Sequence, residues 1–435
     1  MKRNLSIICT ALLMTLGSAA MAQLPSAQEI APKMYPGWNL GNTLEACPCT
    51  WLSNDLDWET GWQSAKTTQQ IIDYVASQGF KSVRIPVAWV TGHLDNESTA
   101  HIKPQWMARV REIVDYCIND GLYVVLNDHW DGGWLENNVK TYDTTRAEKL
   151  KTIWTQIAEE FKDYDEHLLF AGLNEPNAED KNATQSLFRY EQDFVDAVRA
   201  TGGNNLTRTL VVQGPNTSID LSCEHYTQMP TDPTSGRMMM EVHYYSPYNF
   251  CMMTKDESWG NQAYFWGAEN HVTSAAYKKW NATWGEEQYV IDQMQLMYNH
   301  FGSKGIPVII GEYGAIWRTI DASVQDKHDA SIRLYHKTVN QQAINHGCIP
   351  FVWDTNGRGK NSMDVLNRNT LSVFNPHALE GIKAGVEAST WPASMSIEPT
   401  DATSENHATY NLQGIPVGAD TKGIVIQQGR VCLKN

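Results

Sequence analysis

The strongest constraint on the fold is a repeated alternation. Short apolar runs of extended character recur between Gly37 and Ala388, and longer stretches of helical periodicity separate most of them. The runs are 37–40, 82–86, 122–127, 168–173, 210–213, 238–245, 307–310 and 349–353, eight in all. Helical patterns cover 68–78, 105–120, 146–161, 185–199, 287–301 and 330–345. Strands that alternate with helices form parallel sheets, because a parallel connection needs a crossover. Eight such units at this length predict an α/β fold of the (β/α)8 type, with the sheet closed on itself. An open doubly wound sheet is the competing arrangement. No Gly-x-Gly-x-x-Gly follows the first run, so a dinucleotide site lacks its usual support.

Composition narrows the partners. The 49 acidic side chains outnumber the 34 basic ones and leave a formal charge of −15. A polyphosphate is bound largely by neutralising Lys and Arg, so nucleic acid is excluded as a partner. The 16 Trp and 18 Tyr, against 10 Phe, favour rings that carry a polar edge. Such rings stack on a flat ligand that must stay hydrated, and a sugar polymer is a ligand of this kind. The chain is expected to work as a monomer.

The two ends read differently from the middle. Met1, Lys2 and Arg3 precede an apolar run from Leu5 to Leu16 and an Ala20-Met21-Ala22 step. This is the pattern of a secretory signal over 1–22, with Gln23 as the first mature residue and the catalytic domain at 23–388. The run falls short of the ~20 residues of a membrane span, so no transmembrane segment is expected and the protein is placed outside the cytoplasm or at the cell surface. Seven cysteines remain (47, 49, 117, 223, 251, 348 and 432), an odd number that leaves at least one free thiol. Cys47 and Cys49 have no second Cys/His pair to complete a zinc spacing, and neither metal nor cofactor is expected. Residues 389–435 read as a linker and a short β-rich tail. The run Tyr410-Asn411-Leu412-Gln413-Gly414 followed by Gly423-Ile424-Val425-Ile426 resembles the carboxy-terminal sorting tails of secreted Bacteroidetes proteins.

Polar residues stand at the carboxyl ends of the runs, where barrel enzymes place their chemistry. They are Arg84, Asn127 with His129, Asn174 with Glu175, His243 with Tyr245, Glu312 and Trp353. Glu175 follows the fourth run and Glu312 ends the seventh, and these strands face one another across the mouth of a closed barrel. Two convergent carboxyl groups can cleave an acetal, one protonating the leaving oxygen and the other attacking the anomeric carbon. A separation of ~5–5.5 Å gives retention through a covalent intermediate, whereas ~6.5–9.5 Å admits a water and gives inversion. On this reading Arg84 and the Tyr245 hydroxyl hold Glu312 ionised, while burial and the neighbouring charge raise Glu175. The insertion from Ser246 to Gly285 carries Trp259, Tyr264, Phe265, Trp266, Trp280 and Trp284 and is expected to wall a cleft.

Five segments carry a family resemblance: Gly37-Trp38-Asn39-Leu40-Gly41-Asn42-Thr43, Val83-Arg84-Ile85-Pro86, Leu173-Asn174-Glu175-Pro176, Val242-His243-Tyr244-Tyr245 and Ile310-Gly311-Glu312-Tyr313-Gly314. In this order they resemble the successive signatures of glycoside hydrolase family 5, which contains retaining endoglucanases. The likeness spans roughly Gly37 to Asp354. It implies Glu175 as acid/base, Glu312 as nucleophile, Asn174 as donor to the sugar 2-hydroxyl, and Arg84 and Tyr245 as orienting groups. His129 and His243 then bond hydroxyls or carboxylates, and Trp353 forms the floor under the reacting ring. Asn39, Trp38, Trp130 and Trp134 complete the expected substrate contacts, with Trp62 and Trp317 as further cleft candidates. One departure is Asn127-Asp128-His129-Trp130, where relatives often carry two adjacent histidines; it bears on the glycone-side contacts.

The expected activity is a secreted retaining endo-β-1,4-glucanase acting on cellulose-like polysaccharide. A mannanase, a xyloglucanase or a mixed-linkage glucanase would use the same acids with different cleft walls. A non-catalytic glycan-binding barrel would bind without releasing reducing ends. A metal-dependent hydrolase would have to gather His129, His243 and Asp128, and would lose activity on chelation.

Overall fold

The computed structural model describes residues 23–359 and 361–395, and the backbone of 409–410, 416–417, 423–427 and 430–434. The expected signal segment 1–22 lies outside the described residues. Contacts divide the chain into two units, one ending at Ser396 and the other spanning Ile397–Asn435.

The first unit is a closed barrel of eight parallel strands: β1 Gly37–Asn39, β2 Ser82–Ile85, β3 Tyr123–Asn127, β4 Leu168–Ala171, β5 Leu210–Gln213, β6 Met238–Tyr244, β7 Val308–Tyr313 and β8 Cys348–Val352. Each is followed by a helix: α1 Gln69–Ser77, α2 Pro104–Asn119, α3 Thr144–Glu160, α4 Lys181–Ala200, α5 Ile219–His225, α6 Glu287–His300, α7 Gln325–Asn345 and α8 Pro376–Glu387. The ring closes where Gly37 pairs with Phe351 and Trp38 with Val352. A Cβ on Gly37 would sit 2.4 Å from the Phe351 ring, so only glycine lets β1 approach β8 this closely.

The strands are buried on both faces, which explains their unbroken apolar runs. Their outer faces pack on the helices, in the large cluster that includes Val83, Leu126, Trp154, Phe170 and Tyr335. Inside the barrel a second cluster of Val125, Leu169, Val211, Met239, Ile309 and Phe351 closes onto Ile30 and Met34 of the amino-terminal segment. That segment is fixed by a capping box in which Ser26 and Glu29 exchange side-chain and backbone hydrogen bonds.

The strand β7 carries an irregularity that aims the site. Its register with β6 shifts between Val242 and His243, so that His243 pairs with Glu312 and Gly311 is bulged out. A Cβ on Gly311 would overlap the Glu241 carboxylate, and the Gly311 carbonyl accepts a hydrogen bond from Asn39 Nδ2 at 2.9 Å. The bulge re-aims the Glu312 side chain into the mouth.

All eight expected strands are present, and the expected helices differ from the observed ones by a few residues at their ends. The periodicity reading omitted α5 and α8. The barrel unit also continues past the expected boundary at Ala388: Thr390 N–H donates to Asn345 Oδ1 at 2.7 Å, Trp391 stacks on Tyr35 at 5.6 Å, and Met395 is buried. The second unit contains an antiparallel sheet formed by Thr409–Tyr410, Pro416–Val417, Gly423–Gln427 and Arg430–Lys434. Six cysteines are free thiols among the described residues. No helix among those residues is long and apolar enough to cross a membrane.

Candidate active site

Arg84 is the hub of the mouth, fully buried at the end of β2. Its Nη1 donates to Glu312 Oε1 at 3.0 Å and to Asn39 Oδ1 at 3.1 Å, and its Nη2 donates to Asn174 Oδ1 at 2.8 Å. Its Nε forms an ion pair with Glu241 Oε1 at 2.9 Å. One guanidinium thus aligns groups from three other strands and from the loop after β4, a task that suits its planar, fixed set of donors.

His243 stands between the acids. Its Nδ1 lies 2.6 Å from Glu175 Oε1 and 3.7 Å from Glu312 Oε2, and its Nε2 faces Glu241 Oε1 at 3.3 Å. The Tyr245 hydroxyl donates to Glu312 Oε2 at 3.0 Å. Oxygens of Glu175 and Glu312 and a nitrogen of His243 all lie within 4.8 Å of one another. The two acids therefore meet over one small space, the arrangement of a nucleophile and acid/base pair at ~5–5.5 Å, as against the ~6.5–9.5 Å of an inverting pair.

The electrostatics reverse one expectation. Burial alone would lower the His243 pKa, but the Glu312 charge and the hydrogen bonds to Glu175 and Glu241 outweigh it and raise it to about 10. Burial would likewise raise Glu175; the hydrogen bond and charge of His243, then the Arg84 charge, outweigh this and bring Glu175 below the usual range. Glu312 moves up, through burial first and the Glu175 charge after His243 and Arg84 have opposed it. Glu175 is thus the lowered acid and Glu312 the raised one, opposite to the order expected from sequence. The His243 cation accounts for the lowered Glu175, and burial, against the opposing charges of His243 and Arg84, accounts for the raised Glu312. The pair and the imidazole titrate together, and the proton beside the leaving-group position is held jointly by Glu175 and His243. With both ring nitrogens facing carboxylates, an imidazolium here offers no lone pair to a metal. Asp128 is engaged with Asp131 and Trp134 instead of joining His129 and His243.

His129 is held well below the usual histidine range, by burial first and then by the Arg84 and His243 charges, and is neutral. Its Nε2 lies 4.0 Å from Glu312 Oε1, and Asn127 Nδ2 lies 3.2 Å from its Nδ1. Its ring stacks on Trp353 with centroids 5.8 Å apart and planes 7° from parallel. Trp353, Tyr245, Glu175 and Glu312 line a cavity of about 470 Å³, with Met252, Ile316, Thr355, Asn361, Ser362 and Met363 completing the wall. Trp353 thus borders the cavity that holds the acids.

Four expected substrate contacts are corrected. Trp38 is fully buried; its Nε1 donates to Asp354 Oδ2 at 3.0 Å and the Arg368 guanidinium covers its ring at 4.8 Å, so it is a packing residue. Asn39 is also fully buried and spends its amide on Arg84 and the β7 bulge, which makes it a positioning residue. Trp130 packs against the cluster of Ala46, Cys47, Cys49 and Trp58, and Trp134 against the helical layer beneath Lys149; neither borders the cavity that holds the acids. Trp317 donates to Asp329 at 2.9 Å and does not border it either, and Trp62 is a surface residue.

Sequence reasoning missed three buried polar residues. Glu241 pairs with Arg84 and faces His243, and Gln213 donates to Glu241 Oε2 at 2.7 Å while accepting from Leu173 N at 2.8 Å. Glu136 Oε2 accepts from Glu175 N at 2.9 Å and from Asn174 Nδ2 at 3.2 Å. A charge inside the run Met238-Met239-Met240-Glu241-Val242 was a visible signal for Glu241, since a buried strand tolerates a carboxylate only beside a partner.

The chain was compared with known proteins. The family described as Cellulase (glycosyl hydrolase family 5) matches residues 46–359. Endoglucanase A of Paenibacillus barcinonensis is 35% identical over 394 residues, covering 86% of this chain and 93% of that protein. A xyloglucan-specific endo-beta-1,4-glucanase of Bacteroides ovatus is 34% identical, over 83% of this chain and 70% of its own. Among solved structures, a GH5 xyloglucan-specific beta-1,4-glucanase from a ruminal metagenomic library, in complex with XXLG, superposes with a TM-score of 0.77 at 51% identity, covering 85% of this chain and 98% of the other. With a matching family over most of the barrel and a converged pair of acids in its mouth, the chain belongs to glycoside hydrolase family 5 and is a glycoside hydrolase.

Proposed function

We propose that the protein is a retaining endo-β-1,4-glucanase whose substrate is xyloglucan, with unbranched cellulose-like glucan as the second substrate. The observation that carries the mechanism is the approach of Glu175 and Glu312 to within 4.8 Å, with His243 beside both. The similarity to a xyloglucan-specific structure at 51% identity supports the choice of polymer. In the first step a Glu312 oxygen forms a bond to the anomeric carbon as the glycosidic bond breaks, and the departing oxygen takes, through Glu175, the proton shared by Glu175 and His243. In the second step a water attacks the anomeric carbon, Glu175 accepts its proton, and the ester to Glu312 is released. Arg84 and the Tyr245 hydroxyl aim the Glu312 oxygens, and neutral His129 backs Trp353 beneath the ring. Asn174 keeps one amide hydrogen for the sugar 2-hydroxyl while the other is held by Glu136.

Hydrolysis of xyloglucan, carboxymethylcellulose, barley glucan and glucomannan, with product anomers followed by NMR, tests this reading. Retention and fastest release of fragments from xyloglucan are expected; fastest cleavage of mannan overturns the substrate, and inversion overturns the mechanism. Glu312→Gln should abolish turnover of every substrate. Glu175→Ala should cost roughly 10²–10⁴-fold on polysaccharide, the range of general acid–base catalysis, and far less in the first step on an aryl glycoside with an acidic leaving group. We also propose that the protein is exported and cleaved before Gln23, as the amino-terminal pattern suggests; mass spectrometry of the mature amino terminus from culture medium checks this.

A further inference from the structure

Exposed aromatic rings concentrate on the insertion that follows β6. Tyr248, Trp259 and Trp284 are 48%, 66% and 44% exposed, and together they border a hollow of about 410 Å³ separate from the cavity that holds the acids. The rings are held in place. Trp284 Nε1 donates to Asn249 Oδ1 at 3.2 Å, and its face meets the Tyr289 ring edge-on at 5.6 Å. Asn249 Nδ2 donates to the Asn261 carbonyl at 2.9 Å, and Trp259 sits in a tight turn closed by paired backbone hydrogen bonds between Glu257 and Gly260. Trp259 and Tyr248 lie 6.3 Å apart with planes tilted by 41°, so neither covers the face of the other.

We propose that this hollow is a second glycan-binding site, which holds a β-1,4-linked glucan chain outside the catalytic cleft. The inference rests on the function proposed above. Each ring is bordered by amides or hydroxyls, from Asn261 and Thr283 among others, and that mixture suits a pyranose, whose flat face is apolar and whose rim carries hydroxyls. A protein partner would instead favour a continuous apolar centre with a polar rim. Position supports the same ligand. The turn Tyr248–Cys251 presents Tyr248 to the hollow, and the next residue, Met252, lines the catalytic cavity. One helical turn therefore separates the two sites, so a single polymer can lie near both. The Trp284 ring and the backbone of the Trp259 turn are held before binding, which lowers the ordering cost of capture.

The test uses the full chain, with Trp259→Ala and the Trp259→Ala/Trp284→Ala pair. Trp259 is two-thirds exposed, so its removal leaves the packed interior intact. The probes are xyloglucan and barley glucan, cast in native gels and used as substrates, with an aryl cellobioside that reaches only the catalytic cleft. Loss of one stacking ring should raise KM for polymer by roughly three- to tenfold and weaken gel retardation, with aryl cellobioside turnover held within about twofold. Equal retardation and equal KM for variant and parent overturn the site. Self-association of the parent that is lost in Trp259→Ala also overturns it, in favour of a protein interface. A parent that is retarded by glucan yet cleaves none would defeat the proposed activity and leave this site standing.

Discussion

Glu136 shows how a residue that need not touch substrate can set the chemistry. Its carboxylate fixes the Glu175 backbone and the Asn174 amide, and burial first, opposed by those hydrogen bonds and reinforced by the Glu175 and Glu312 charges, raises its pKa to about 7. Above that pH it places a second negative charge beside Glu175 and makes Glu175 hold its proton more tightly. Glu136→Gln keeps an acceptor and removes the charge, so the alkaline limb of kcat/KM should move to lower pH. Glu136→Ala leaves two buried donors unpaired at ~1–3 kcal/mol and should lower kcat by about tenfold or more. A pH profile of both variants checks the role, and limbs that coincide with the parent's would remove it. The contrast with Glu175 and Glu312 explains what a sequence can disclose at this scale. Glu312 stands at the end of β7 and Glu175 just beyond the end of β4, so the strand periodicity points both at the mouth. Glu136 lies in a loop whose path depends on packing, and no local pattern marks it. Trp38 was misplaced for a related reason: alternation says which strand a residue occupies, but the shape of the ring around Asp354 decides whether it faces ligand or core.

At the scale of elements, the loops that shape the mouth are tied down by buried acids. Asp131, after β3, accepts the backbone N–H groups of Trp89, Val90 and Thr91 at 2.8, 2.6 and 2.7 Å, and so joins the loop after β2 to the loop after β3. Burial raises its pKa, opposed by those three donors, and Asp128 beside it is pushed well above the carboxylate range, by burial first and by Asp131 next. Asp131→Ala leaves three buried N–H groups without an acceptor, and a loss of roughly 3 kcal/mol or more is expected from urea unfolding; a loss under ~1 kcal/mol would mean that water replaces the carboxylate. The alternation of runs disclosed the strands because each is buried on both faces. It did not disclose α8, whose identity depends on tight packing against α7: a Cβ on Gly385 would lie 2.5 Å from the Lys337 carbonyl. That approach is a tertiary fact without a sequence period.

For the whole molecule, the buried titratable groups set a pH window of stability. Burial, as the largest cause, lowers His93 to about 3 and both His328 and His336 to about 4 from 6.5, so the unfolded chain binds more protons than the native one below about pH 6.5, and stability falls as pH drops through that range. Burial, again as the largest cause, raises Glu45 and Glu136 to about 7 and Glu191 to about 8 from 4.5, so the native state binds more protons above pH 4.5, and stability falls as pH rises toward 8. Between those limits these six groups pull three protons each way and their slopes largely cancel. Above pH 6.5 the contribution of these three histidines is spent, and the carboxyls act together with His243, whose raised pKa makes the native state hold a proton that the unfolded chain releases. A plateau in Tm near pH 5–6.5 with a decline to pH 8 follows. Glu191, which accepts from Gln213 N at 2.8 Å and from the Tyr226 hydroxyl, has the farthest-raised carboxyl of the three. Glu191→Gln retains an acceptor and cannot ionise, so its Tm should fall less than the parent's between pH 6.5 and 8 in calorimetry. An equal fall in both would show that Glu191 stays charged across the range, with the alkaline loss arising at Glu45 and Glu136.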